Sequence, residues 1–168
     1  MRVAEPRLLA ELEIREVAYT HGDAQALIAR VQQVYVERYG GADDDTMDPS
    51  MFTPPAGAFF VGYLADAPVA TGAWRAEGVE RLGSDNTAEI KRMYVVPEAA
   101  RQGHARTMLA HLESTAVAAG HEVMVLSTGS LQPEAIALYL SSGYVEVAPF
   151  GHYAEAELVR CFAKRLAM

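Results

Sequence analysis

The stretch "AEIKRMYVVPEAARQGHARTML", residues 88–109, decides the fold, because it joins a strand to a helix through one short turn. Its isoleucine, methionine and valines suit a central strand, and Pro97, which has no backbone N–H, ends that strand. Apolar residues then recur at helical spacing, and the helix is predicted to end at Gly120. The next run, "HEVMVLST" (residues 121–128), is typical of a strand covered on both faces. This order predicts a parallel strand pair in the middle of a sheet.

Hydrophobic periodicity and turn residues predict the other elements. Residues 42–57 are acidic and then proline-rich, which favours a surface loop. Arg75, which follows the predicted core residue Trp74, is expected to face solvent. Upstream of the strand–helix–strand unit of residues 88–128, we predict a strand at 13–17, a helix that ends near Gly40, and a hairpin at 58–74. Downstream of it, we predict a helix that begins at Pro133 and strands near 144–147 and 158–164. The expected fold class is α/β, a mixed, mostly antiparallel sheet with a central parallel pair and helices on both faces, in one domain of residues 1–168.

Composition excludes several classes of function. The 168 residues carry a formal net charge of −8, so nucleic acid, which must be met by clustered Lys and Arg, is not an expected partner. No run approaches the roughly 18 apolar residues that span a bilayer, and the N-terminus has no signal-peptide pattern. Cys161 is the single cysteine, which excludes an internal disulfide. We therefore expect a cytoplasmic protein without a membrane partner.

The turn before the central helix has the features of an anion site. The first N–H groups of a helix lack intrahelical acceptors and lie at the positive end of its dipole. Gly103 would let a ligand approach the backbone, and Arg101 and Arg106 could add charge. The two common nucleotide fingerprints, G-x-x-x-x-G-K-[ST] and G-x-G-x-x-G, are both missing from the sequence. The local pattern alone leaves ordinary helix punctuation as an alternative.

The wider context, residues 88–109 followed by "HEVMVLST" and "QPEAIALYLSSGY", resembles the GNAT superfamily of N-acetyltransferases over about residues 58–165. The family's turn Q/R-x-x-G-x-G/A corresponds to "ARQGHA", residues 100–105, with Ala100 in place of Gln or Arg. The resemblance implies acetyl-CoA as acetyl donor. It also implies that the pyrophosphate binds at the turn, through residues Arg101, Gln102, Gly103, His104, Ala105 and Arg106.

The same resemblance implies further roles. Met93, Tyr94 and Val95 would pair through their backbone with the pantetheine arm, and Gln132 would contact the cofactor. Tyr139 would donate a proton to the departing thiolate, and Glu89 would accept the proton of the amine. For a protonated alkylamine, whose pKa is near roughly 10, a carboxylate is a reasonable acceptor, directly or through water. Glu77, Glu80 and Asp85 are weaker candidates for that base.

The predicted function is direct transfer of an acetyl group from acetyl-CoA to a primary amine of a small molecule or peptide. The acidic balance is compatible with an amine substrate, and an antibiotic, a polyamine, an amino acid or a protein N-terminus would fit. The alternative is a non-catalytic acyl-CoA-binding sensor or structural module. No metal is expected, because the histidines show no metal-binding spacing, and a homodimer is compatible with the last strands.

Overall fold

The computed structural model of the chain describes residues 11–45 and 47–167. The sequence argument against a signal peptide rests partly on residues 1–10, which lie outside these ranges. The elements in chain order are β1 (Glu13–Glu16), α1 (Gly22–Tyr39), β2 (Gly57–Leu64), β3 (Ala67–Ala76), β4 (Thr87–Val95), α2 (His104–Ala118), β5 (Val123–Gly129), α3 (Pro133–Ser141), β6 (Val145–Val147) and β7 (Val159–Arg165). The strands form a sheet in the order β1-β2-β3-β4-β5-β7-β6, in which β4 and β5 are parallel and the other pairs antiparallel. This confirms the predicted fold class.

Local sequence signals explain where several elements end. Gly40 takes the left-handed conformation, with φ +77°, and caps α1. Ala65 and Asp66 form the tight turn of the β2–β3 hairpin, both with positive φ. Pro133 occupies the first turn of α3, where its missing N–H costs nothing. These short-range preferences are why the predicted boundaries agree closely with the structure.

Helices cover both faces of the sheet. On one face, α2 and α3 pack Met108, Leu112 and Ile136 against the buried side chains of the central strands. On the other face, α1 packs Leu27 and Ile28 over β2 and β3. Burial of these apolar side chains is the main stabilising contribution to the layered fold. No helix in the described ranges is long and apolar enough to cross a membrane.

A bulge bends β4 away from β5. Lys91 lies opposite Ala73 and Tyr94 opposite Thr71, so Arg92 and Met93 together face the single residue Gly72. Arg92 has φ +55°, and its carbonyl accepts a 2.7 Å hydrogen bond from the Thr71 hydroxyl. An extra residue of this kind kinks one strand and interrupts its pairing.

The parallel pairing between β4 and β5 therefore ends early. It covers Thr87, Ala88 and Glu89, which lie opposite Val123, Met124 and Val125. Beyond these residues the two strands diverge, and a forked opening remains in the middle of the sheet.

Candidate functional site

The fork between β4 and β5 is a cleft of about 560 Å³. Side chains from both faces of the sheet line it, because α1 closes one side and α3 the other. Three of the predicted site residues, Met93, Gln132 and Tyr139, lie on its wall. Tyr35, Tyr39 and Tyr153 also line it, and the sequence analysis did not identify them. Mixed apolar and polar walls of this size are typical of small-molecule sites.

The turn before α2 presents an open set of donors. Within the described ranges, the backbone N–H groups of residues 102–106 donate to no protein acceptor. Gly103 has φ +82°, and a Cβ built on it would meet no atom within 4 Å. Gly103 therefore borders open space, and the unpaired donors at this helix start can accept an anion.

The side chains of this turn have more specific roles than the sequence indicated. His104 is buried, and its Nε2 lies 3.2 Å from the Gln102 amide oxygen. Arg106 donates to the hydroxyls of Ser141 and Ser142 at the end of α3. Arg106 thus joins the two helices beside the turn, and Arg101, with φ +62°, is exposed.

Past the fork, one edge of β4 has no strand partner within the described ranges. Tyr94 and Val95 lie opposite Thr71 and Ala70 of β3, but neither has a partner residue in β5. The β5-facing backbone groups of residues 90–95 are consequently open to an extended ligand that could add to the sheet edge.

Tyr139 is a buried residue with a polar atom left over. Its ring packs against Tyr144, with centroids 5.6 Å apart, and against Phe162. Its hydroxyl makes no hydrogen bond to any residue of the described ranges. Burial raises the pKa of Tyr139 above its ordinary value, so the phenol keeps its proton at neutral pH. A protonated hydroxyl on a cleft wall that has no protein partner can donate its proton to an acceptor on a bound ligand.

Glu89 lies immediately before the fork rather than on the cleft wall. It is 4% exposed, and the Arg75 Nε donates to its carboxylate at 3.0 Å. Arg75 also bonds Asp45 at 2.9 Å. The prediction that Arg75 faces solvent is therefore wrong: its side chain is only 14% exposed, because two buried carboxylates hold it. Nearby, burial and then the charge of Glu89 raise the pKa of Glu77.

The acidic loop is anchored to the sheet by cations of β4. Lys91 Nζ lies 3.1 Å from Asp45 and 3.9 Å from Asp43, and Arg92 also bonds Asp43. Asp43 and Asp45 thus already have cationic partners. These two carboxylates therefore give no support for a cationic substrate, with which the negative net charge was compatible. Two cations side by side in a central strand were a sequence signal for this, since buried Lys and Arg require partners.

A second contact joins the acidic loop to the segment between β6 and β7. His152 Nε2 lies 2.8 Å from the Asp44 carboxylate, and the Tyr153 hydroxyl bonds Asp43 and Asp44. Together these side chains hold two cleft-lining loops beside each other.

We expect this contact to weaken as pH rises. Its hydrogen bond to Asp44 raises the pKa of His152 above the ordinary 6.5, so the stabilisation is complete below 6.5 and is lost as pH rises through the higher, folded-state value. The gap in urea midpoint between the wild type and His152→Ala should be larger below pH 6.5 than well above it. An equal gap at both pH values would contradict this expectation.

Comparisons with known proteins agree with this geometry. The model of the acetyltransferase (GNAT) family matches residues 28–144. An IAA acetyltransferase from Azospirillum brasilense is 30% identical over 127 residues, covering 76% of this chain and 80% of the relative. A Klebsiella pneumoniae structure assigned as an acyl-CoA N-acyltransferase has 26% identity and a TM-score of 0.74, over 93% of this chain and 98% of its own. A Salmonella typhimurium structure, assigned as an acetyltransferase and solved with its cofactor acetyl-CoA, shares the fold at 18% identity, with a TM-score of 0.70 over 95% of this chain and 96% of that one.

Proposed function

Because the chain belongs to the acetyltransferase (GNAT) family, we propose that it transfers an acetyl group from acetyl-CoA directly to a primary amine of a small molecule or peptide. The observation that carries the proposal is the cleft between β4 and β5, with an unpaired, protonated tyrosine on its wall. The name of the Azospirillum brasilense relative, an IAA acetyltransferase, supports acetyl transfer.

The residues of the chain fit acetyl-CoA. The open N–H groups of residues 102–106 would hold the pyrophosphate, because they have no acceptor within the described ranges and lie at the positive end of the α2 dipole. The backbone of Met93, Tyr94 and Val95, on the free edge of β4, would hold the pantetheine arm. Ala100, where the family has Gln or Arg, removes one side-chain contact, but it leaves these main-chain donors in place.

The chemistry of the site follows from which groups can give or take a proton. When bound, acetyl-CoA would supply a thioester as the acetyl donor. The Tyr139 hydroxyl would donate its proton to the sulfur that departs. Glu89, one residue from the cleft wall and engaged with Arg75, would accept the proton of the amine through water. The walls built by α1 and α3 would shield the reacting atoms from part of the bulk water.

Thermal unfolding with acetyl-CoA tests the binding half of this proposal. At about 100 times its dissociation constant, a ligand that binds the folded state adds roughly 2.7 kcal/mol of stability. For a domain of this size the unfolding midpoint should rise by roughly 5–11 °C. ATP and NAD are the controls, because they share the adenosine and phosphates but have no pantetheine.

A rise with acetyl-CoA alone supports the proposal and leads to a screen of amines by thiol release. Stabilisation without release of thiol from any amine would favour the non-catalytic acyl-CoA-binding module. A larger rise with ATP would contradict the assignment of the turn.

A further inference from the structure

Arg92 lies at the most distorted point of the cleft wall. It is the left-handed residue of the β4 bulge, with φ +55°, and its side chain is only 3% exposed. A long cationic residue rarely adopts such a backbone conformation, and strain of this kind tends to occur at functional sites. The residue nevertheless belongs to the lining of the cleft.

The guanidinium of Arg92 has too few acceptors. Its Nη1 donates to Asp43, but Nε is sealed from solvent and has no hydrogen-bond acceptor among residues 11–45 and 47–167. A guanidinium offers five N–H donors, and a buried donor without an acceptor destabilises the folded state. The protein therefore leaves unused donor capacity at this position.

The charges around Arg92 form a network in which it shares one carboxylate, that of Asp43, with Lys91. Among the cleft-lining side chains that are largely buried, Lys91 and Arg92 are cations and Asp43 is the carboxylate. Asp45 pairs with both Lys91 and Arg75. Arg75 in turn also pairs with Glu89. Burial raises the pKa of Tyr35 to about 12, so this phenol adds no negative charge. The other cleft-lining carboxylates, Asp44 and Glu157, are exposed.

We propose that the acceptor carries a carboxylate in addition to its amine, and that Arg92 binds this carboxylate in the cleft. The acceptor class is then that of amino acids and related amine-bearing acids. The amine of the acceptor follows from the proposed function, on which this inference rests. The carboxylate of the acceptor is inferred from Arg92. Because Nε is sealed in this conformation, the guanidinium must turn toward the cleft when the carboxylate enters. A planar guanidinium then forms paired, charge-assisted bonds with both carboxylate oxygens.

Binding can be tested without turnover. The protein is saturated with CoA, which carries no acetyl group, and its unfolding midpoint is measured with the proteinogenic amino acids and with their decarboxylated amines. At least one acid should stabilise the complex more than its matched amine. Arg92→Met should weaken the binding of that acid roughly 10–100-fold. Arg92→Lys should weaken it less, because Lys keeps the positive charge but cannot form two parallel hydrogen bonds with a carboxylate.

Two controls separate this effect from misfolding. Stabilisation by CoA itself should persist in both Arg92 variants, which shows that the cleft is intact. Arg160→Met removes another arginine, which lies on β7, pairs with Glu146 of β6 and does not line the cleft. This change should leave binding of the acid unchanged. If no acid binds better than its amine, or if Arg92→Met binds the acid as well as the wild type does, the inference is overturned.

Turnover separates the inference from the proposed function. If the acid causes thiol release from acetyl-CoA, and Arg92→Met lowers this activity mainly by raising the KM for the acid, the result supports both the inference and the proposed function. Binding of the acid that depends on Arg92, without any thiol release, supports the inference and contradicts amine acetylation. Equal release with the acid and its decarboxylated amine, unchanged in Arg92→Met, overturns the inference and leaves the proposed function standing.

Discussion

Tyr139→Phe is expected to lower the turnover of acetyl transfer by roughly 10²–10⁴-fold, the range typical of a lost general acid. The KM for acetyl-CoA should change little, because the hydroxyl acts on the departing sulfur rather than on the bound cofactor. The change removes one oxygen and keeps the ring that packs on Tyr144 and Phe162, so the fold should persist. Steady-state rates of thiol release measure the effect.

Tyr144→Phe is the matched control for this change. Tyr144 is also buried, but its hydroxyl donates to Glu113 at 2.8 Å, and it does not line the cleft. Its loss should cost about 1–2 kcal/mol of stability and leave turnover unchanged. If Tyr139→Phe turned over at the wild-type rate, the sulfur would depart without Tyr139 and its assigned role would be wrong.

Gly103→Glu is expected to weaken acetyl-CoA binding by at least ~100-fold, about 2.7 kcal/mol. The new side chain would add a carboxylate beside the open N–H groups that we propose hold the pyrophosphate, and the like charges would repel each other. A calorimetric titration with acetyl-CoA measures the loss.

Gly120→Glu controls for backbone strain. Gly120 follows α2 at the opposite end, has φ +94°, and a Cβ there also meets no atom within 4 Å. Both variants force a side chain into the left-handed region, at a cost of about 1–2 kcal/mol, but Gly120→Glu leaves the open donors untouched. Unchanged affinity in Gly103→Glu would refute the phosphate assignment, whereas equal losses in both variants would assign the effect to strain.

Much of the candidate site was accessible from sequence where its residues lie close together in the chain. The turn at Gly103 combines a helix start, a glycine and a preceding proline-ended strand within a few residues. Tyr139 was identified through family resemblance, because helical spacing alone cannot distinguish a core tyrosine from a functional one. The structure adds that the Tyr139 ring packs on Tyr144 and Phe162 and that its hydroxyl has no partner in the described ranges. No local sequence pattern encodes such contacts.

The sequence by itself determined the element order, the parallel strand pair and the ends of the helices, because hydrophobic period, Pro and Gly act over a few residues. Only the tertiary structure decided that Arg75 is largely buried, that the acidic loop is bound to β4, and that the Arg92 Nε has no acceptor among the described residues. These features depend on charges that are about 30 to 50 positions apart in the chain and meet only after the sheet has formed. Whether a charge is exposed, paired or left for a ligand is a property of that packing, since burial changes the energetic cost of each charge.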